Sequence, residues 1–331
     1  MAENILEIRN LQTFFFTGSG AVRAVDDISF SLRRGENLCL VGESGCGKTA
    51  TALSVLRLID SPPGKIVGGQ VLYRGEDLLR APDSRLRELR GNRIAMIFQD
   101  PQSSLNPVFP VGDQIAEPLR QHLNMARGPA RARTLQLMAQ AGIPRAQERI
   151  RDYPHQFSGG MKQRVMIATA LSCDPEILIA DEPTTALDTT IKAQILDIFQ
   201  DLKQQRQMSV LFITHDLGTV AGIADRIIVM YGGRIAESGT ALDIFDDPRH
   251  PYTRGLLACL PDISTRKERL TPIPGTIPSL IDPPRGCIFS PRCRERMAVC
   301  DAERPEMVRV SGEHDVACYL YTAREGEENR P

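Results

Sequence analysis

Short apolar runs alternate with helix-like stretches over much of the chain. The runs are Leu38–Val41, Ile94–Phe98, Ile177–Ala180, Val210–Ile213 and Ile227–Met230. Continuous apolar runs of this length are typical of buried parallel strands. Between residues 100 and 164 the apolar positions instead recur at helical spacing, as at Val111, Ile115 and Leu119. The pattern therefore predicts an α/β core with a parallel sheet, interrupted by a mainly helical segment.

The sequence changes in character after Gly239. Prolines cluster at positions 272, 274, 278, 283, 284 and 291, and closely spaced prolines disfavour helices and strands. This clustering predicts an extended, turn-rich segment. We expect two domains: residues 1–239, with the helical segment at about residues 100–164, and an irregular extension over residues 240–331.

A glycine-rich loop follows the first buried run. It reads Gly42-Glu43-Ser44-Gly45-Cys46-Gly47-Lys48-Thr49, and a helix-like stretch starts at Ala50. In a strand-loop-helix setting, the backbone N–H groups of such a loop converge on a phosphate. Lys48 is expected to reach the β- and γ-phosphates of a nucleotide, and Thr49 to bind Mg²⁺. An ordinary glycine-rich turn is the competing interpretation, and the flanking strand and helix argue against it.

Two adjacent carboxylates end another buried run. Asp181 and Glu182 follow Ile177–Ala180 directly. An acidic residue at this place in a phosphate-loop protein holds Mg²⁺, directly or through water, so we assign that role to Asp181. Glu182, one residue later, can polarise an attacking water. A solvated helix cap would be the simpler interpretation if this pair stood alone.

Further polar motifs follow in one fixed order along the chain. A serine and two glycines that open a helix form a second backbone anion site. The full order is the glycine-rich loop, Gln99, Ser158-Gly159-Gly160, Asp181-Glu182, Asp188 and His215. This order is far more specific than any one motif.

With these motifs the chain resembles the ATP-binding subunits of ATP-binding-cassette (ABC) transporters over nearly its whole length. The resemblance implies a phosphate-loop domain with a RecA-like parallel core, an antiparallel β edge and a helical subdomain. It also implies ATP hydrolysis in which Glu182 is the base and His215 contacts the γ-phosphate and supports Glu182. Gln99 would sense the γ-phosphate and help Thr49 and Asp181 to hold Mg²⁺.

The same resemblance completes the ATP-binding set. The phosphate loop contributes Gly42, Ser44, Gly45, Cys46, Gly47, Lys48 and Thr49. Ser158, Gly159, Gly160 and Gln163 would belong to the signature loop, which together with Asp188 acts across a dimer interface. Phe15 would stack on the adenine, whereas Phe14 and Phe16 are expected to be core residues of an edge strand.

Composition and charge fit an ordinary globular protein. Hydrophobic residues make up 42% and charged residues 24% of the 331 residues, and the net charge is −1 at pH 7. This balance gives no electrostatic case for nucleic acid as a partner, and we expect none. No apolar run is long enough to span a bilayer and no signal-peptide pattern opens the chain, so a cytoplasmic location is expected.

Four of the chain's eight cysteines cluster in the later part of the extension. They are Cys287, Cys293, Cys300 and Cys318. Disulfides are disfavoured in a cytoplasmic protein, so clustered thiols indicate a metal site. A zinc ion and a 4Fe-4S cluster both take four thiolates, and the spacing does not rank them firmly. Four reduced cysteines without a metal are the remaining alternative. Cys39, Cys46 and Cys173 are interpreted as packing residues.

Three segments of the extension narrow the resemblance. His250–Leu257, Pro274–Leu280 and Gly286–Cys293 look like the C-terminal extension of the oligopeptide and dipeptide importer ATPases. Some members of that subfamily carry a 4Fe-4S cluster on four such cysteines, which favours iron-sulfur over zinc, in a structural or regulatory role. The resemblance implies that the chain energises the import of dipeptides or oligopeptides.

The resemblance also implies partners and a location. The partners would be two transmembrane permease subunits, a second ABC ATPase subunit, identical or related, and, indirectly, an extracytoplasmic substrate-binding protein. The chain would be peripheral, at the cytoplasmic face of the bacterial inner membrane. Close relatives carry nickel, glutathione or sugars, so these cargoes are alternatives. Two further alternatives are a redox-sensing regulatory module and a soluble non-transport ABC ATPase acting on DNA or ribosomes.

Overall fold

The structure is a computed structural model that describes residues 3–185, 192–199, 208–260 and 272–322. Its strands are β1 (Asn4–Thr17), β2 (Gly20–Arg33), β3 (Asn37–Val41), β4 (Gly64–Tyr73), β5 (Glu76–Asp77), β6 (Ile94–Ile97), β7 (Ile177–Asp181), β8 (Ser209–Thr214), β9 (Arg226–Tyr231), β10 (Arg234–Thr240), β11 (Val308–Ser311) and β12 (His314–Val316). Its helices are α1 (Lys48–Val55), α2 (Asp83–Leu89), α3 (Pro101–Ser104), α4 (Val111–His122), α5 (Arg127–Gln140), α6 (Ala146–Arg149), α7 (Gly159–Ala170), α8 (192–199), α9 (Leu217–Val220), α10 (Ala241–Asp246), α11 (Pro251–Ala258) and α12 (Val299–Ala302). Two 3₁₀ turns span Pro154–Gln156 and Ser290–Arg292.

These elements fall into two compact units. The first comprises Met1–Glu7, Ser31–Asn37 and Val71–Thr214. The second comprises Ile8–Phe30, Leu38–Gln70 and His215–Pro331. The phosphate loop and the cysteine-rich extension therefore belong to the same unit.

Three parallel strands form the core of the first unit. β7 lies between β6 and β8, and its residue Ala180 is opposite Ile97 on one side and Phe212 on the other. Every residue of β7 and β8 is buried, as expected of parallel strands covered on both faces. The predicted α/β class with a parallel core is confirmed.

The helical segment of the first unit contains α3 to α7. Val111, Ile115 and Leu119 are fully buried on one face of α4, which is the periodicity that predicted this helix. α4 packs against α5 and α7. Ser158 caps α7, because its Oγ accepts a hydrogen bond from Met161 N at 3.4 Å. In the described parts of the chain, every helix is too short or too polar to cross a membrane.

The second unit is built on five strands in the order β11-β12-β10-β9-β3. β3 is parallel to β9, with Leu40 opposite Ile228, whereas β10 is antiparallel to both β9 and β12. The parts of β2, β1 and β4 that belong to this unit lie side by side in that order. Residues 272–289 contain neither helix nor strand, as the prolines predicted. The rest of the extension adds α10 to α12 and the strands β11 and β12, which composition did not indicate.

A buried carboxylate ties the extension to the strands of this unit. Glu237 of β10 is fully buried and accepts hydrogen bonds from the backbone N–H groups of Arg249, at 2.6 Å, and His250, at 2.9 Å. Its Oε1 also shares a hydrogen bond of 2.7 Å with His314 Nε2 of β12. A buried carboxylate without such partners is strongly destabilising. The three contacts therefore fix β12 and the turn before α11 relative to β10.

Candidate active site

The phosphate loop connects β3 with α1 in the second unit. Gly42 and Gly47 have φ angles of +153° and +104°, which side-chain-bearing residues rarely adopt. A Cβ at Gly42 would lie 2.2 Å from Met230 O, and one at Gly47 would lie 2.1 Å from Ala24 O. The close approach of the loop to these two carbonyls therefore requires both glycines.

Lys48 begins α1, and its side chain folds back over the loop. Its Nζ donates hydrogen bonds to Gly42 O at 2.8 Å and to Glu43 O at 3.0 Å. Phosphate oxygens are stronger acceptors than carbonyls, so the ammonium group can exchange these partners for a nucleotide. Cys46 is fully buried, and burial raises the pKa of its thiol. Cys46 is thus buried, as expected of a packing residue.

The other loop residues predicted to bind ATP differ in their access to solvent. Ser44, Gly45 and Thr49 are exposed. The Thr49 hydroxyl is therefore available to a ligand, as its predicted role requires. Cys39 and Cys173, the other two predicted packing cysteines, are buried.

The acidic pair ends β7 in the first unit. Asp181 and Glu182 are buried. Glu182 has a left-handed φ of +46°, a conformation that costs a residue with a side chain about 1–2 kcal/mol. Its N–H donates to Ile213 O of the neighbouring strand at 2.8 Å. Such a strained residue is typical of a functional site that the surrounding structure fixes.

The Glu182 carboxylate has two side-chain partners in this unit. Its Oε2 accepts hydrogen bonds from Gln99 Nε2, at 3.2 Å, and from Thr185 Oγ1, at 2.8 Å. Gln99 follows β6 and Glu182 follows β7, so the pairing of these parallel strands brings the two predicted residues together. Thr185 was missed by the sequence analysis, although a hydroxyl three residues after Glu182 was the available signal.

The remaining predicted residues lie in several places. Ser158 and Gly159 are exposed at the start of α7, and Gln163, further along α7, is buried. Gln163 Nε2 has no hydrogen-bond partner within the described ranges. His215 is exposed directly after β8. Asp188 lies outside the described residues.

The aromatic residues of β1 correct one expectation. Phe16 is 51% exposed, and Phe14 is half-buried beneath the Arg23 guanidinium, 5.9 Å from the ring centroid. Neither is a core residue, because the last residues of β1 are partly or fully exposed to solvent. Phe15, the predicted adenine platform, is half-buried.

Four cysteines of the extension line one cavity. Cys287, Cys293, Cys300 and Cys318 share its wall with His250, Phe289 and Tyr319. Burial raises the pKa of both Cys287 and Cys318 to about 11, so these thiols are protonated at neutral pH.

The four thiols line the same cavity, but in the described residues they are not arranged as a complete set of metal ligands. Across the described ranges, no three His, Cys, Asp or Glu side chains are arranged to hold a metal ion. Metal binding deprotonates thiols and draws the ligands together. Four sulfurs around a single cavity fit either a zinc ion or an iron-sulfur cluster by their donor chemistry.

A buried arginine of the extension contacts the phosphate loop. Arg292 Nη1 and Nη2 donate to the two carboxylate oxygens of Glu43, at 2.6 and 3.0 Å. Its Nε donates to Pro274 O at 2.8 Å, and Nη1 donates to Tyr231 Oη at 3.3 Å. Hydrogen bonding to Glu43 raises the pKa of Arg292. The sequence analysis missed this pair, which spans 249 residues.

Buried aromatic rings surround this ion pair. Tyr252 Oη accepts a hydrogen bond from Glu43 N at 2.8 Å. The Tyr252 and Phe289 rings lie 4.6 and 5.1 Å from the Tyr231 ring, between centroids. Burial raises the pKa of Tyr252 and of Tyr231, so both phenols stay neutral. The loop residue Glu43 is thus held through its side chain and through its backbone.

Two protein families match separate parts of the chain. Residues 25–185 match the ABC transporter family, and residues 236–300 match the oligopeptide/dipeptide transporter C-terminal region. The dipeptide transport ATP-binding protein DppD of Bacillus subtilis is 49% identical, over 97% of this chain and 96% of the relative. The oligopeptide transport ATP-binding protein OppD of the same organism is 47% identical, over 96% of this chain and 88% of the relative.

Solved structures of ABC cassettes share the fold. The dimeric structure of MJ0796, a bacterial ABC transporter cassette, has a TM-score of 0.65 and 26% identity, over 71% of this chain and 98% of that one. A post-hydrolysis dimer of MJ0796 bound to ADP and Pi also gives a TM-score of 0.65, at 25% identity over the same shares of the two chains.

Proposed function

The chain belongs to the ABC transporter family of ATP-binding proteins, and from this membership we propose that it is the ATP-hydrolysing subunit of an importer for dipeptides or oligopeptides. One observation carries the cargo class: residues 236–300 match the C-terminal region of oligopeptide/dipeptide transporters. The relatives named for dipeptide and oligopeptide transport cover nearly the whole chain, which supports the same cargo.

Hydrolysis requires a positioned γ-phosphate, neutralised charge and a water aimed in line. In this proposal the loop amides and Lys48 bind the β- and γ-phosphates. Glu182 accepts a hydrogen bond from the attacking water, and its contacts with Gln99 and Thr185 fix the direction of its carboxylate. His215 contacts the γ-phosphate and supports Glu182.

Mg²⁺ is assigned to Thr49, Gln99 and Asp181, whose side-chain oxygens are the hard ligands that this ion prefers. When bound, it would neutralise charge on the β- and γ-phosphates. The buried position of Asp181 and the exposed hydroxyl of Thr49 are compatible with these roles.

A second ATPase subunit completes each nucleotide site in this proposal. Ser158, Gly159, Gly160 and Gln163 act with Asp188 on the nucleotide of the partner, and Phe15 stacks on the adenine. The exposure of Ser158 and Gly159 leaves the start of α7 accessible to such a ligand. Residues 1–239 would act as the ATPase domain, with its helical part at about 100–164, and residues 240–331 as the extension.

The transport partners are two membrane-embedded permease subunits, with a substrate-binding protein outside the membrane. Three large apolar side chains within ten residues of Gln99 along the chain support a permease contact in this segment: Phe98, Val108 and Phe109 are 41%, 70% and 53% exposed. Solitary exposed apolar residues are common, but a group of them is typical of an interaction surface. The chain would bind there as a peripheral protein at the cytoplasmic face of the bacterial inner membrane.

The four cysteines that line the cavity are proposed to hold a 4Fe-4S cluster, with zinc as the alternative. Their sulfur-only donor set supports either group. The group would supply a structural or regulatory centre, because nucleotide hydrolysis requires no redox chemistry.

The catalytic assignment is tested with Glu182→Gln. This variant should bind ATP and form a stable closed dimer, and its steady-state hydrolysis should fall by about a hundredfold or more because the base is lost. Glu117→Gln, which changes an exposed acid on α4, should hydrolyse ATP at the wild-type rate. Normal turnover by Glu182→Gln would overturn the assignment.

The cargo assignment is tested by uptake in cells that lack this gene. Uptake of labelled dipeptides or oligopeptides should be lost and should return with the wild-type gene, whereas Glu182→Gln should not restore it. Unchanged peptide uptake with lost uptake of nickel or glutathione would transfer the same ATPase role to that cargo.

A further inference from the structure

Arg292 connects the backbone beside the cysteine cavity with the phosphate loop in the chain's second unit. It ends the 3₁₀ turn Ser290–Arg292, and the flanking residues Ser290 and Cys293 line the cavity. Its own side chain points the other way, to the carboxylate of Glu43. One turn of the backbone therefore contacts both sites.

The contact between Arg292 and Glu43 has the properties of a strong interaction. The Arg292 side chain is only 4% exposed, and each of its two terminal nitrogens donates to a different Glu43 oxygen. Bidentate pairs of this kind fix orientation as well as distance. Three further bonds, to Pro274 O, Ile273 O and Tyr231 Oη, hold the guanidinium independently of the loop.

Glu43 in turn holds the phosphate-binding lysine. Its carbonyl oxygen accepts from Lys48 Nζ at 3.0 Å and from Cys46 N at 3.3 Å. The same residue is bonded through its N–H to Tyr252. A shift of the Glu43 main chain would therefore displace the carbonyl on which Lys48 rests, and the ion pair with Arg292 restrains such a shift.

We propose that Arg292 is a positioning residue of the phosphate loop: it acts through Glu43 to hold Lys48 and the loop backbone in the shape that receives the nucleotide phosphates. The extension is then part of the machinery that sets nucleotide affinity. This inference rests on the proposed function, since it takes ATP as the ligand of the loop. Arg292 itself does not contact the nucleotide.

The experiment measures binding of the fluorescent analogue MANT-ATP with Mg²⁺ to the full chain. Arg292→Met removes the guanidinium group, whose two terminal nitrogens form the fork that bonds to Glu43. Glu43→Gln weakens the ion pair while leaving the bonds of Arg292 to Pro274 O and Ile273 O in place. Each variant should bind about tenfold more weakly, the effect of losing one buried charge-assisted contact. Arg292→Lys, which keeps the charge without the fork, should lie between Arg292→Met and the wild type.

The double variant Arg292→Met/Glu43→Gln separates coupling from general damage. Because both changes break the same contact, the affinity of the double variant should equal that of whichever single variant binds MANT-ATP more weakly. In hydrolysis assays KM should rise while kcat changes little. A purely structural role would instead lower the unfolding midpoint of the ligand-free protein and leave the affinity of the folded protein unchanged.

Arg309→Met is the matched control. Arg309 also makes a bidentate bond to a carboxylate, that of Asp315, at 2.5 and 3.1 Å, but this pair is exposed and lies on the hairpin of β11 and β12. It should bind MANT-ATP like the wild type. Wild-type affinity in both Arg292→Met and Glu43→Gln, or independent and additive effects in the double variant, would overturn the inference. Failure of the wild type itself to bind would overturn the proposed function instead.

Discussion

The phosphate loop and the cysteine cavity lie in the same unit but are built in different ways. The loop is a run of eight consecutive residues, Gly42 to Thr49, and its proposed ligand-binding groups are mainly backbone N–H groups and one lysine. The cavity gathers four thiols that are spread from Cys287 to Cys318. Within this part of the extension, only short helices, turns and strands bring the thiols together.

The comparison teaches that the two sites depend on different properties of the chain. A loop of backbone donors needs the correct φ angles, so its glycines are the sensitive positions. A site made of side-chain donors requires that the donor atoms lie close together and have the correct protonation state. Its sensitive features are therefore the cysteines and their burial. Arg292 belongs to the second region and contacts the first.

The largest effect should come from Gly47→Ala in the loop. The new Cβ would lie 2.1 Å from Ala24 O at a φ of +104°, so the loop must shift. We expect MgATP affinity to fall by about a hundredfold or more, since several aligned N–H groups are displaced together. Equilibrium binding of MANT-ATP measures the loss.

Gly128→Ala is the control for this change. Gly128 lies in α5, and an added methyl group there would meet no atom of another residue within 4 Å outside its own helix backbone. Alanine also favours helices over glycine by about 1 kcal/mol. Nucleotide affinity should stay at the wild-type value. Wild-type binding by Gly47→Ala would show that the close approach to Ala24 is not required.

Cys318→Ser tests the cavity, and here the metal content should change while MgATP binding does not. Anaerobically purified wild-type protein should contain iron and sulfide in equal amounts, and the variant should lose them while it still binds MgATP. Cys259→Ser, at a cysteine that is not among the cavity-lining residues, should keep the metal. Zinc, or no metal, in the wild type would leave the ATPase assignment standing and would contradict the cluster.

A smaller effect should appear in the pH dependence of stability. Burial lowers the pKa of His250, which lines the cavity, to about 3. The unfolded chain therefore binds this proton at a higher pH than the folded protein does. The contribution of His250 to the free energy of unfolding is complete above pH 6.5 and decreases as the pH falls towards 3. Each pH unit in this window should cost about 1.4 kcal/mol of the free energy of unfolding.

Urea unfolding of His250→Asn at pH 7.5 and 5.5 measures this contribution. The asparagine Oδ1 can replace His250 Nδ1 as the acceptor from Tyr252 N, a bond of 3.0 Å at the start of α11. The variant should lose less stability between the two pH values than the wild type does. His155→Asn, at an exposed histidine, should keep the wild-type difference, and the same result for His250→Asn would contradict the prediction.

The smallest effect is expected from Tyr252→Phe. This change removes only the hydroxyl that accepts from Glu43 N, and loss of one neutral hydrogen bond costs about 1 kcal/mol. MgATP affinity should fall about threefold, less than in the ion-pair variants, because a neutral bond is weaker than a charged one. An effect as large as that of Arg292→Met would shift the positioning role from the arginine to the tyrosine.

Much of the fold could be predicted because its elements are specified locally. β7 and β8 were predicted from continuous apolar runs, and α4 from Val111, Ile115 and Leu119. The contact of Gln99 with Glu182 was not predicted, and it arises because the neighbouring parallel strands β6 and β7 end at one edge. Thr185 was missed because a hydroxyl has no periodic signature.

The positions of Phe14 and Phe16 were predicted wrongly for a related reason. Apolar residues near the end of a strand are buried only if another element covers them. The local sequence pattern does not show whether such an element is present. The helices and strands of the extension were missed because its prolines dominated the composition of the whole segment.

The sequence by itself determined the glycine-rich loop, the buried strands and the order of the polar motifs, because backbone conformation and hydrophobic periodicity act over a few residues. Only the tertiary structure decided that Arg292 contacts Glu43, that Glu237 binds His314, and that four separated thiols share a cavity. These contacts join residues up to 249 positions apart. Their partners are chosen by the packing of whole elements, which no local pattern encodes.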